Sequence, residues 1–155
     1  MTKLINGGFF RKQEESLMKT CFNTGNSEVI IDIKNRVSRL LQAVLPDEHI
    51  LVEVAFNEAI NNAISVSEAV EVEITKDEKY VKLIVKDNGK GFDVESSLQE
   101  IEVKGEKLMD EILWSESGRG LYLMKKVMDK VEYNKKGNQV TLFKQIGGSK
   151  REYEH

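Results

Sequence analysis

The sequence predicts an α+β fold, a two-layer α/β sandwich in which helices cover one face of a mixed, mostly antiparallel sheet. Three segments carry apolar residues at helical spacing, and segments such as 70–74 and 81–85 alternate apolar with polar residues, which is typical of strands with one buried face. Most of these strands follow one another as hairpins, and the helices are amphipathic. The simplest packing therefore places all three helices on one face of the sheet.

Composition indicates a single globular domain. The chain has 155 residues, of which 40% are hydrophobic and 32% are charged, with a net charge of −3. Nothing in this balance favours nucleic acid as a partner, because neutralising phosphates needs a basic surface. The single cysteine, Cys21, cannot form an internal disulfide, which fits a reducing compartment. No apolar run approaches the roughly 20 residues that span a bilayer, and the N-terminus does not resemble a signal peptide. We therefore expect a cytoplasmic protein without a membrane partner.

The expected domain covers residues 19–146. Residues 1–18 are expected to be an N-terminal extension, with at most a short helix over 11–18, and 147–155 a flexible tail. The domain is expected to open with a short strand over 19–23.

Two amphipathic helices follow that strand. Asn26 and Ser27 can cap the first, since their side chains accept hydrogen bonds from free N–H groups. Pro46, the only proline, ends this helix, and Asp47 is expected to cap the second.

One hairpin is predicted before the third helix and a second hairpin after it. The first joins the strands at 70–74 and 81–85 through a turn at 76–79, and the second turns at 136–138. The polar connection at 94–117 is long for a compact domain, where such segments are usually functional lids or disordered. A third helix carrying Leu121, Met124, Val127 and Met128 follows it.

The first block with chemical potential is residues 58–63, in the second helix. Glu58 and Asn62 are four residues apart and so point the same way, one turn from each other. By helical angle Asn62 falls between Leu51 and Ala55, and a side-chain amide oxygen there can complete the coordination of Mg²⁺ next to phosphates. The alternative is that Asn62 is a hydrogen-bonded core residue and Glu58 a solvated acid.

The second block follows the strand at 81–86. Asp87 can accept a hydrogen bond from an exocyclic amine such as that of adenine, and Gly89 and Gly91 let a ring approach the backbone. The alternative is a plain Asp-Asn-Gly hairpin turn.

The third block, Gly118-Arg119-Gly120, is expected to lie just before the third helix. Helix N-termini present free N–H groups and a positive dipole end that suit phosphates, and Arg119 adds a positive charge. The alternative is a flexible loop that enters a helix. Together, the three blocks suit a nucleoside triphosphate with its cation.

These blocks resemble the N, G1 and G2 boxes of the Bergerat-fold (GHKL) ATPases, which include gyrase, the heat-shock chaperone, histidine kinases and mismatch-repair ATPases. The residues that carry the resemblance are Asn57-Glu58-Ala59-Ile60-Asn61-Asn62-Ala63, Asp87-Asn88-Gly89-Lys90-Gly91-Phe92-Asp93 and Gly118-Arg119-Gly120-Leu121-Tyr122-Leu123-Met124. Among these families, a short chain with these three motifs is most similar to the anti-sigma-factor serine/threonine kinases of bacterial partner switching. The resemblance covers about residues 19–146.

The resemblance implies ATP and Mg²⁺ as cofactors and gives each matching position a role. Asn62 would hold Mg²⁺, Glu58 would be the general base for the substrate hydroxyl, and Asp87 would read adenine. The remaining nucleotide-binding positions would be Gly89, Gly91, Gly118, Arg119, Gly120 and Leu121.

The implied function is an ATP-dependent serine/threonine kinase that acts as an anti-sigma factor. Its partners would be a sigma factor and a small STAS-type anti-anti-sigma protein that it phosphorylates, and a homodimer is expected. Two alternatives remain. One is a nucleotide-gated protein-binding module without phosphotransfer, and the other is the ATPase domain of a histidine kinase.

Overall fold

The computed structural model describes residues 14–89 and 116–147, which form three helices and five strands in the predicted order. The helices are α1 (Ser27–Val44), α2 (His49–Val66) and α3 (Glu116–Val127). The strands are β1 (Glu15–Asn23), β2 (Ala69–Lys76), β3 (Tyr80–Asp87), β4 (Lys130–Tyr133) and β5 (Gln139–Gln145). None of the described helices is long and apolar enough to cross a membrane.

The five strands form one sheet in the order β1-β2-β3-β5-β4. All four pairings are antiparallel, so the predicted antiparallel character is confirmed and the described strands contain no parallel pair that would make the sheet mixed. The central strand β3 pairs with β2 from Val70 opposite Asp87 to Lys76 opposite Val81.

One face of the sheet carries the core. Alternate residues of β2, β3 and β5 are almost completely buried, namely Val70, Val72, Ile74, Val81, Leu83, Val85, Val140 and Leu142. They form one cluster with the buried faces of the helices, and α2 contacts β2, β3 and β5. The alternation places these side chains on the same side of the pleated sheet. The two-layer sandwich is therefore confirmed.

The first strand is longer than expected. It begins at Glu15, which pairs with Lys76, so the helix expected over 11–18 is wrong for the described residues 15–18. Met18 is buried against the core, and a bulge between Ser16 and Met18 adjusts the register. Pairing with the full length of β2 outweighs the weak local preference of this polar segment for a helix.

The caps of the two long helices differ from each other. Asn26 caps α1 as predicted, since its Oδ1 accepts a hydrogen bond of 3.2 Å from the Val29 N–H. The prediction that Asp47 caps α2 is wrong, because Glu48 occupies the N-cap position and its side chain makes no cap hydrogen bond. The N–H of Glu48 closes a turn on the carbonyl of Leu45, which shifts the start of α2 by one residue.

Both hairpin turns are held by an acidic or amide side chain. Asp77 accepts hydrogen bonds of 2.8 Å from the N–H groups of Tyr80 and Lys79, and these bonds hold the pKa of its carboxyl below the usual value. In the second hairpin, Asn134 accepts from three successive N–H groups and Gly137 takes a φ of +82°. A residue with a Cβ would adopt that angle only with strain.

Candidate functional site

The first candidate pair lies on the exposed face of α2. Asn62 is exposed and Glu58 is half-buried, and the same face carries Leu51 and Val66, whose side chains are 57% and 59% exposed. The alternative in which Asn62 is a hydrogen-bonded core residue is therefore wrong. Both side chains are accessible to a ligand from the same side.

Neither side chain is committed elsewhere in the described part of the chain. Among the side chains of residues 14–89 and 121–147, none forms a hydrogen bond or an ion pair with the carboxylate of Glu58 or the side-chain amide of Asn62. The neighbouring Asn61, by contrast, accepts a hydrogen bond of 3.0 Å from Lys34 Nζ on α1. A carboxylate and an amide oxygen thus stand one helical turn apart, with acceptor positions open to a metal ion or a hydroxyl donor.

Asp87 faces the layer that α2 occupies. It ends β3 at an alternate position after Val81, Leu83 and Val85, and it lies opposite the buried Val70. Its backbone N–H donates to the carbonyl of Asn138 at 2.9 Å, which fixes the end of the strand against the start of β5. The side chain of Asp87 is therefore directed into the gap between the sheet and the helix layer.

One oxygen of Asp87 holds the turn that follows it. Oδ1 accepts a hydrogen bond of 2.7 Å from the Gly89 N–H, and no described residue donates to Oδ2. The turn interpretation and the ligand interpretation are therefore compatible, because Oδ1 holds the turn and Oδ2 is left for a ligand.

Gly89 is the point at which β3 meets the end of α2. A Cβ added at Gly89 would lie 2.8 Å from the carbonyl oxygen of Val66 and 3.0 Å from Asp87 Oδ1. Since Val66 is one turn beyond Asn62, this contact brings the first and second blocks together. The absence of a side chain here is required by a close approach of backbone to backbone.

We expect Gly89→Ala to lower stability by about 1–3 kcal/mol, because the methyl group meets a backbone carbonyl that can move only if α2 or β3 moves. Chemical denaturation measures the loss. Gly25→Ala is the matched control, since its nearest neighbour would be a side-chain oxygen of Asn23 at 3.2 Å, which can move aside. Equal stability of the two variants would mean that the contact with Val66 is not tight in solution.

The third block lies inside a helix and not before it. Helix α3 begins at Glu116, so Gly118, Arg119 and Gly120 belong to its first turns, which corrects the predicted position. In α1 and α2 the fourth helical residue already donates its N–H to the N-cap carbonyl. By the same count, the free N–H groups of α3 include that of Gly118 but not those of Arg119, Gly120 or Leu121. The free N–H groups and the positive dipole end still suit an anion.

The placement of Leu121 limits its proposed role. Its side chain is buried in the core, and α3 packs against α2. Leu121 thus holds the helix in place and has neither a free N–H nor an accessible side chain for a nucleotide. Gly91 and most of the connection at 94–117 lie outside the described residues, as does the side chain of Arg119, so their roles stay predictions.

The arrangement can hold a nucleotide better than a metal ion alone. Among the described residues, no group of three or more His, Cys, Asp or Glu side chains could bind a metal by itself. A single amide oxygen such as that of Asn62 suits Mg²⁺ when phosphates and water supply the other ligands. The residues present therefore fit a metal that arrives with a polyphosphate.

Two lysines to which the sequence patterns assign no role make contacts between elements. Lys34 reaches from α1 to Asn61, and Lys144 follows Val140 and Leu142 at an inward-facing position of β5. The signal for Lys144 was present in the sequence, because a lysine that continues a buried alternation is unusual. Lys34 gave no such signal, since the pairing of α1 with α2 is a tertiary contact.

Comparison with known proteins supports these observations. A search of curated proteins gave no match. A family model described as the histidine kinase-like ATPase domain matches residues 26–144, from the N-cap of α1 almost to the end of β5. This range contains all three described helices and all three blocks of the candidate site. The chain therefore belongs to the histidine kinase-like ATPase domain family and is an ATP-binding domain of that kind.

Proposed function

We propose that this domain is an ATP-dependent serine/threonine kinase that acts as an anti-sigma factor. It would bind a sigma factor and phosphorylate a small anti-anti-sigma protein of the STAS type, as a homodimer in the cytoplasm. The finer part of this proposal rests on the resemblance of the three blocks to the anti-sigma-factor kinases. The observation that carries it is that the half-buried Glu58 and the exposed Asn62 lie one turn apart on one face of α2.

The proposed chemistry needs few groups. Glu58 would take the proton from a serine or threonine hydroxyl, whose oxygen then bonds to the γ-phosphorus of ATP while the bond to the bridging oxygen breaks and ADP leaves. Asn62 would help to hold Mg²⁺, which neutralises charge on the phosphates. Phosphoryl transfer depends mainly on such positioning and charge neutralisation, so a carboxylate one turn from the metal ligand suffices as the base.

Asp87 and α3 would supply the nucleotide contacts. Oδ2 of Asp87, to which no described residue donates, would accept from the amine of adenine, and the N–H groups at the start of α3 would donate to phosphate oxygens. The adenine ring would then lie near the end of β3 and the phosphates near the start of α3, on either side of the exposed face of α2.

The test is capture of partners from the native host, with the tagged full chain in ATP and separately in ADP, followed by mapping of phosphorylated residues. We expect a sigma factor in one nucleotide state and a STAS-type protein that acquires phosphoserine or phosphothreonine in ATP. Partners that bind in a nucleotide-dependent way but are never phosphorylated would support the binding-module alternative instead.

The histidine-kinase alternative receives less support from the described residues. His49 lies in the first turn of α2, where its Nδ1 is 2.9 Å from Glu53 Oε2. A phosphoaccepting histidine would be expected on a separate helical hairpin, so His49 is a poor candidate. Phosphohistidine on this chain after incubation with ATP would favour that alternative.

We expect Asn62→Ala to weaken binding of ATP with Mg²⁺ at least tenfold, which corresponds to about 1.4 kcal/mol, while the fold is kept. The reason is that the exposed amide forms no hydrogen bond with the side chains that the structure describes, so its removal should affect mainly the ligand. Calorimetry measures the affinity. Asn61→Ala is the matched control, because that amide is engaged by Lys34; if it weakens binding as much as Asn62→Ala, the metal-ligand role of Asn62 is wrong.

A further inference from the structure

Lys144 lies near the end of β5 on the face of the sheet that packs against the helices. Only 13% of its side chain is exposed. A charged ammonium in such a position is costly unless each of its donors finds a partner.

Its partners come from three different elements. Nζ donates to the backbone carbonyl of Val127 at 2.9 Å, lies 3.5 Å from Glu48 Oε2 and lies 4.0 Å from Asp129 Oδ1. Val127 is the last residue of α3, Glu48 is the N-cap of α2, and Asp129 lies in the turn from α3 to β4. One ammonium therefore joins the start of α2 to the end of α3.

Asp129 makes the arrangement rigid. Its second oxygen, Oδ2, accepts a hydrogen bond of 2.6 Å from the Gln145 N–H, and its own N–H donates to the carbonyl of Phe143 at 3.0 Å. The turn after α3 is thus fixed to β5 on both sides of Lys144. We call Lys144, Glu48, Asp129 and the Val127 carbonyl the lysine clasp.

The lysine clasp lies at the opposite end of the helix pair from the candidate site. Glu58 and Asn62 are ten and fourteen residues beyond Glu48, or about 15 and 21 Å along α2 at 1.5 Å per residue. Gly118 is about 13 Å before Val127 along α3 by the same rise. Helices α2 and α3 pack together and each is rigid. Fixing the start of α2 against the end of α3 therefore also determines where the end of α2 and the start of α3 lie.

We propose that Lys144 is a positioning residue for the nucleotide site. It holds the end of α3 against the start of α2, and so sets the distance from the N–H groups at the start of α3 to Glu58 and Asn62. The proposal rests on the proposed site, because it concerns how that site is held in register. The cation also lies at the C-terminal end of α3, where the helix dipole favours positive charge.

The test compares Lys144→Met, which keeps the length and apolar stem, with Lys130→Met. Lys130 is 58% exposed, pairs with Glu132 on β4, and has its Nζ 5.1 Å from the centre of the Phe143 ring on β5. None of these contacts involves α2 or α3, so its replacement should leave nucleotide binding unchanged. We expect Lys144→Met to weaken ATP·Mg²⁺ binding at least fivefold in folded protein. We also expect Lys144→Arg, which retains the charge and donors, to recover most of that loss.

Amide hydrogen exchange gives a readout that does not depend on nucleotide. In Lys144→Met without ligand, amides of α3 should exchange at least tenfold faster, while those of β2 and β3 keep their protection. If wild-type protein binds no nucleotide, the proposed function fails, and this experiment still tests the clasp. Should Lys144→Met not fold, Glu48→Gln, which keeps the shape but removes one charge, is expected to shift both readouts in the same direction.

Two outcomes would overturn the proposal. One is uniform loss of exchange protection over the whole domain with unchanged ATP affinity, which would make Lys144 a contributor to stability alone. The other is unchanged exchange in α3, which would mean that the lysine clasp does not hold that helix.

Discussion

Glu58→Gln is expected to lower the rate of phosphotransfer to the cognate partner by about 10²–10⁴-fold, the range typical of removing a general base. Glutamine keeps the size and the hydrogen-bonding shape of the side chain but cannot accept the proton of the attacking hydroxyl. Binding of ATP should be retained, since the phosphates and adenine are held by other groups. Single-turnover transfer of radiolabelled phosphate, measured with enzyme in excess, separates the chemical step from product release.

Glu68→Gln is the matched control for this substitution. Glu68 is an exposed acid two residues beyond the end of α2, so the variant has the same change in charge at a position away from the proposed base. We expect its transfer rate to stay within twofold of wild type. Transfer by Glu58→Gln at the wild-type rate would show that another group is the base, or that positioning alone supports the reaction.

Much of the fold could be predicted because burial imposes simple periods on the chain. The alternation through Val81, Leu83 and Val85 identifies β3 and also the face it buries, and the structure confirms both. The cap at Asn26 was predictable for a similar reason, since the hydrogen bond that it makes is local. Such features depend on residues within a few positions of each other.

Features that depend on distant residues were predicted less well. The start of β1 at Glu15 is set by its pairing with the full length of β2. The start of α3 at Glu116 was placed too late, because Gly118 and Gly120 disfavour a helix locally while the packing of α3 on α2 stabilises it. Each error has a tertiary contact as its cause.

The candidate site shows the same division. That Glu58 and Asn62 share a face followed from their spacing, but which face of α2 is exposed did not, since the apolar Leu51 suggested a buried one. The contact of Gly89 with the carbonyl of Val66, which brings two blocks together, could be read only from the structure. The sequence therefore supplied the candidate residues, whose roles stay predictions, and the structure shows how two of the three blocks meet.

Helix α2 links the stability of the fold to the candidate site, because one face packs in the core and the other carries the candidate residues. One face buries Val52, Phe56 and Ile60 against the sheet, and the other carries Glu58 and Asn62. A ligand bound on the exposed face therefore stabilises a helix that the core already holds. This coupling leads to a prediction in which loss of stability and recovery by ATP are measured together.

Phe56→Ala is expected to cost about 3–5 kcal/mol of unfolding free energy, as is typical of phenylalanine truncation in a core. Phe56 is 1% exposed and is the largest of the fully buried side chains that the structure describes, so its loss leaves a cavity in the core beside α2. That cost is a large share of the unfolding free energy of a typical domain, which is roughly 5–15 kcal/mol. Urea denaturation followed by far-ultraviolet circular dichroism measures it.

Val54→Ala is the control on the opposite face of the same helix. Val54 is 40% exposed, so its truncation should change the unfolding free energy by no more than about 0.5 kcal/mol. Saturating ATP·Mg²⁺, at a hundred times its dissociation constant, should return about 2.7 kcal/mol to each variant, because a ligand that binds only the folded state shifts the equilibrium by mass action. If Phe56→Ala gains no stability from ATP while Val54→Ala does, packing behind α2 controls the geometry of Glu58 and Asn62. If neither gains, the exposed face of α2 does not bind the nucleotide.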